Sequence, residues 1–142
     1  MFTPHPQSKQ RKRSAAILAK YLLAKKKQPE LTDCLRALLN TLLWKLSEAE
    51  SHKHETRYQS KSAMNRRKGT KVQHDHVHQR KNVIDRLLAP NRNIDGILRK
   101  VFACTVTERE HKKLSRYKAF DGWKRYKKAG IVVTDTKTGR EF

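Results

Sequence analysis

Four histidines of this 142-residue chain stand where acid–base or metal chemistry needs them. In KVQHDHVHQ, Val72, His74, His76 and His78 alternate with Gln73, Asp75 and Val77, the pattern of a short strand. His111 lies in the first turn of a helix whose start is marked by Thr107 and Glu110, the T-x-x-E of a capping box. A neutral imidazole can take a proton from water, while a carboxylate and a second imidazole hold one divalent cation against a scissile phosphate. One base and one metal suffice to hydrolyse a phosphodiester. The same histidines equally suit a phosphate-facing surface that gains charge below about pH 6.5. Strict alternation separates Asp75 from His76 across the strand, so joint work by the two requires a twist or bulge there.

The elements that must position these groups can be read from apolar spacing. Residues 1–13 carry two prolines and a QRKR run and read as a flexible basic arm. Ser14 then caps a first helix to about residue 27, with Ala15, Ile17, Leu18, Tyr21 and Leu22 at helical spacing. Pro29 ends it. Thr32 or Asp33 caps a second helix, whose stripe of Leu35, Leu38, Leu39, Leu42, Leu43 and Leu46 is the clearest in the chain. Residues 51–71 read as a basic loop or short broken helix anchored by Tyr58 and Met64. After the histidine strand come two brief helices, around Val83–Leu88 and, capped by Asn93, around Ile94–Val101. VFACTV is a second strand, the helix from Glu108 follows, GWKRY brings Trp123 and Tyr126 toward burial, and AGIVVTD is a last short strand. The expected architecture is α+β: predominantly helical, with a small antiparallel strand pair and a ββα-like C-terminal unit. It forms one compact domain over residues 14–142, divided into a helical part at 14–50, the loop, and the ββα-like part at 72–142.

Charge supplies the class of partner. Against 13 Asp and Glu stand 34 Lys and Arg, a formal net charge of +21 with a pI near 10.4, which repels itself unless a polyanion compensates it. The excess lies in three stretches, 1–30, 51–82 and 99–128, which suits a surface wrapping a backbone better than one detachable tail. DNA or RNA is the expected partner. Phosphate contacts are assigned to Arg11, Lys12, Arg13, Arg57, Arg66, Arg67, Lys68, Lys71, Arg80, Lys112, Lys113, Lys124 and Arg125.

HDHVHQR followed by FACTVTEREHKKL resembles a divergent HNH, or ββα-metal, endonuclease motif over residues 71–117. The resemblance implies a helix docked across two strands and a DNA or RNA backbone as substrate. It implies that Asp75 and His111 are metal ligands for Mg²⁺, Mn²⁺, Ni²⁺ or Zn²⁺ and that His76 is the general base. It also implies an asparagine that orients the base, for which Asn82, Asn91 and Asn93 are candidates. The alternative class is a non-catalytic DNA- or RNA-binding protein, regulatory or structural, or an accessory subunit that meets a protein partner within a nucleic-acid complex.

Other classes lose their footing. No apolar stretch approaches the ~20 residues that span a bilayer, so no membrane is expected. The N-terminus lacks the apolar centre of a secretory signal, and the expected location is the cytoplasm. Cys34 and Cys104 read as reduced core thiols, too few for a four-cysteine zinc site. Phosphate-cradling glycine loops, a Ser-His-Asp order and nucleotide-binding fingerprints are missing.

Overall fold

The computed structural model describes residues 2–51 and 54–142, so His52 and Lys53 of the basic stretch lie outside the described residues. The first helix, α1, runs Ser8–Ala24. It therefore begins ahead of the QRKR run and not at Ser14, so residues 8–13 of the expected flexible arm are helical. Its buried residues, Ala15, Ala19 and Leu23, recur every fourth position and form the stripe that docks on its neighbour. Pro29 opens a short turn of helix, α2 at Pro29–Thr32, a position where its missing N–H costs nothing. Helix α3, Leu35–Glu48, buries Leu35, Leu39, Leu43 and Leu46.

That leucine face packs against α1, against Val83, Ile84 and Leu87 of α5 (Arg80–Leu88), and against Ile97 and Leu98 of α6 (Ile94–Leu98). The result is an all-helical core in which each fully buried leucine, such as Leu39 or Leu43, contributes about 1.5–3 kcal/mol. Asn93 caps α6, its side chain accepting from the Gly96 N–H at 2.9 Å.

A second core belongs to a mixed four-stranded sheet of order β2-β3-β1-β4, with β1 at Tyr58–Ser60, β2 at Val72–His76, β3 at Ala103–Thr107 and β4 at Val133–Asp135. The pairs β2/β3 and β1/β4 are antiparallel, while β1/β3 is parallel. Helix α7, Glu108–Leu114, and helix α8, Trp123–Lys128, supply Leu114, Tyr126 and the adjacent Ala129 to a core that includes Val77, Cys104, Val106 and Val133. The fold is thus α+β and predominantly helical, with the expected β2–β3–α7 order embedded in a larger sheet.

Several local expectations are revised. Residues 51–71 are not a simple loop: β1 lies there, followed by α4 at Lys61–Met64, which Ser60 caps by accepting from the Ala63 N–H. Tyr58 is an anchor as expected, its ring near those of Phe102, Trp123 and Phe142. Met64 is exposed and anchors nothing. Cys34 is exposed as well, because it sits at the N-cap of α3, ahead of the buried stripe; only Cys104 is a core thiol. Tyr126 is fully buried, whereas Trp123 is half-buried.

Candidate functional site

The capping box at Thr107 directs α7 back over the sheet: Thr107 Oγ1 accepts from the Glu110 N–H at 3.2 Å, and Glu110 Oε2 accepts from the Thr107 N–H at 2.9 Å. The same carboxylate oxygen accepts from Ser60 Oγ at 2.6 Å, tying α7 to β1. Antiparallel register sets Asp75 opposite Cys104, His74 opposite Thr105, and His76 opposite Ala103. Because side chains alternate across a strand, Asp75 turns to the face covered by α7 and α8, and His74 and His76 turn to the other.

On the α7 side, His111 Nε2 lies 3.6 Å from Asp75 Oδ1, with the carboxylate 7% exposed and the imidazole 42% exposed. The other oxygen, Oδ2, accepts from the Arg125 guanidinium and, at 2.5 Å, from the Tyr126 hydroxyl. Arg125 also donates to the His76 carbonyl at 2.8 Å. Burial raises the Asp75 pKa above the ordinary carboxylate value, opposed by Arg125, the Tyr126 hydrogen bond and His111. Burial likewise pushes the Tyr126 hydroxyl and the Cys104 thiol well up.

On the opposite side, His74 Nε2 and His76 Nε2 each lie 3.0 Å from Ser47 Oγ of α3, below the ring of Trp44. Burial, the neighbouring His74, and the Arg80 and Arg125 charges depress His76 to a pKa of about 3. A base of that strength holds little affinity for a proton at neutral pH. His78 lies past the end of β2 and meets Asp121, with Nδ1 and Oδ2 3.0 Å apart.

The ligands that the resemblance implies are therefore only partly assembled. Asp75 and His111 come together beneath a helix docked on two strands, but His76 faces away from both. The Asp75 carboxylate is already matched by a guanidinium and a phenol, and no group of three or more His, Cys, Asp or Glu side chains able to hold a metal ion occurs among the described residues. As arranged, Asp75 would have to give up its guanidinium and phenol partners to hold a cation together with His111. Of the candidate orienting asparagines, Asn93 is used in the cap of α6, and Asn91 adopts a left-handed backbone conformation, φ 49°. Asn82 lies within α5.

The expected phosphate contacts sort into two groups. Arg125 is buried in its pair with Asp75, and Arg57 is held by Asp135 through Nε at 2.8 Å and Nη2 at 2.5 Å, which keeps the Asp135 carboxyl well below its usual range. The Arg125 charge is therefore withheld from solvent, and the Arg57 charge, on a side chain 25% exposed, is already matched by Asp135. Arg80 is half-buried, its guanidinium 5.0 Å from the Trp44 ring centre. Lys12 pairs with Glu50 at 3.3 Å and Lys112 with Glu108 at 3.1 Å. Arg11, Arg13, Arg66, Arg67, Lys68, Lys71, Lys113 and Lys124 are exposed and make no ion pair among the described residues.

Part of that exposed set converges. Thr70 and Lys71, just before β2, lie beside the first turn of α7, where the Glu108 N–H donates to the Lys71 carbonyl at 3.1 Å. Arg66, Thr70 and Lys71 line one open groove together with Glu108 and Arg109. Residues some forty positions apart in sequence thus present cations along one trough. Sequence reasoning missed Arg109 in this role, and missed Ser47 and Tyr126 as partners of the histidine strand. The three-residue spacing of Trp123 and Tyr126 signalled a buried helical face, but nothing near Ser47 signalled a histidine partner. No family model, curated protein or solved structure matches the chain, so its own side chains carry its functional reading.

Proposed function

We propose that the protein binds a nucleic-acid backbone through its exposed cations, with the groove between the segment before β2 and the start of α7 as the central contact. The observation that carries this reading is the meeting of Arg66, Lys71 and Arg109 along one open trough in a chain of net charge +21. The trough stays net positive: Glu108 is paired with Lys112, and Glu110, bound by neutral donors in the capping box and from Ser60, is one acid against Arg66, Lys71 and Arg109. Backbone phosphates spaced along a strand match such a row of cations, and binding of this kind carries little sequence preference.

Fluorescence anisotropy with labelled duplex DNA and single-stranded RNA across a salt series tests it. The logarithm of the affinity falls linearly with log salt, and the Arg66→Ala, Lys71→Ala double variant lowers the slope by about 0.7–0.9 per lost contact. Affinity indifferent to salt, or unchanged in the double variant, overturns the groove as the binding surface.

A second reading, a nuclease of the ββα class, is favoured by one observation: the approach of His111 to Asp75 beneath α7. Its test is cleavage of supercoiled plasmid and structured RNA with Mg²⁺, Mn²⁺, Ni²⁺, Zn²⁺ or EDTA. Cleavage lost in His111→Ala and kept in His76→Ala supports chemistry on the α7 face. Strand shift without cleavage under every condition leaves binding alone.

A further inference from the structure

The seam between the two cores opens into a cleft apart from the α7 groove. It has a volume of about 410 Å³, bounded by α1, the end of α3, β1, α6 and the connection into β3. This falls in the size range of small-molecule sites, roughly 300–1,000 Å³. Its walls divide by chemistry. Ala16, Leu46, Leu98, Val101 and Phe102 form an apolar slot, and Arg13 and Arg99 stand among them as exposed cations.

The remaining charges of the cleft are already matched. Glu50 is paired with Lys12 at 3.3 Å, Asp95 with Lys20 at 2.8 Å, and Arg57 with Asp135 at 2.5 Å. Arg13 and Arg99 make no ion pair among the described residues, which leaves two surplus guanidiniums beside an apolar slot. A planar apolar body carrying a doubly charged phosphate satisfies both features at once. Guanidinium forks suit phosphate oxygens, and the slot removes a flat heterocycle from water. The rims of Glu50 and Asp95 add acceptors for amino or hydroxyl groups on such a ligand.

We propose that this cleft binds a nucleoside monophosphate unit, with the base in the slot beside Leu98 and Phe102 and the phosphate on Arg13 and Arg99. The unit is chemically the same whether it is a free mononucleotide or the 5′-phosphorylated end of a strand. The cleft and the α7 groove have no residue in common.

Isothermal titration of the full chain at moderate salt with adenosine 5′-monophosphate, adenosine and inorganic phosphate provides the test. The monophosphate binds at least about tenfold more tightly than either fragment, because only it engages both slot and cations. Arg13→Ala and Arg99→Ala each weaken it about tenfold, as expected for loss of a charge-assisted contact. Ala16→Phe, which fills the slot, weakens it as well and leaves inorganic phosphate unaffected. The Arg66→Ala, Lys71→Ala variant binds the mononucleotide like the parent protein, so failure at the cleft is distinguishable from failure at the groove. A 5′-phosphorylated oligonucleotide compared with its 5′-hydroxyl counterpart separates the sources: a preference sensitive to Arg99→Ala identifies a strand end, and equal binding with retained mononucleotide affinity identifies the free nucleotide. Monophosphate binding no tighter than inorganic phosphate, or unmoved by both arginine variants and Ala16→Phe, overturns the proposal.

Discussion

Arg125 of α8 and Asp75 of β2 form an ion pair in which each side chain is only 7% exposed. The guanidinium also reaches the His76 carbonyl, and the Tyr126 hydroxyl shares the carboxylate, so one helix clamps the end of one strand. Burying two charges gains little over a well-packed apolar pair, but removing one partner strands the other in a medium that solvates it poorly. Arg125→Met therefore destabilises the fold by about 3–5 kcal/mol in urea unfolding, and Tyr126→Phe by roughly 1–2 kcal/mol. Combining Arg125→Met with Asp75→Asn recovers part of the loss. A single variant as stable as the parent refutes the clamp.

Stability depends on pH through His76. The unfolded chain takes up its proton near pH 6.5, whereas the folded chain resists it down to about pH 3. Between those values the unfolded state binds more protons, so the contribution is complete above about pH 6.5 and lost as pH falls toward 3. The slope from this group approaches about 1.4 kcal/mol per pH unit, and His76→Gln removes it. Asp135, depressed by Arg57, acts in the same direction but only below the ordinary carboxylate value. Urea unfolding at half-unit pH intervals, parent against His76→Gln, reads the difference; parallel curves from pH 4 to 6.5 exclude the role.

Gly122 opens α8 from a backbone conformation, φ 60° and ψ −154°, that side chains other than hydrogen rarely adopt. A Cβ there would also come within 2.9 Å of His78 Cε1, whose ring is held by Asp121. Gly122→Ala costs about 1–3 kcal/mol from the backbone alone. A thermal midpoint unchanged from the parent contradicts this.

The two thiols differ in access. Cys34 is exposed, while Cys104 is buried in the sheet core, where burial raises its pKa. A colorimetric thiol reagent at neutral pH labels Cys34 promptly and Cys104 only after denaturant is added. Rapid labelling of both in the native protein contradicts the packing of β3.

What local sequence determined about this protein is its charge, its helical stripes and its capped boundaries. The leucines of α3 lie on one side at 3.6-residue spacing, and the box at Thr107 and Glu110 satisfies its bonds within four residues, so neither needs the rest of the chain to be recognised. Tertiary structure decided which charges stay available. Arg57 and Arg125 read like any other cations until strand register and helix docking bring them to Asp135 and Asp75, roughly fifty to eighty positions away. It also decided the fate of the histidine strand. Period-two alternation predicts that Asp75 and His76 part, but only the packing of α7 and α8 on one face and α3 on the other determines that Asp75 meets His111 while His76 meets Ser47. Burial and pairing depend on contacts between distant segments, and those contacts are set by the whole fold.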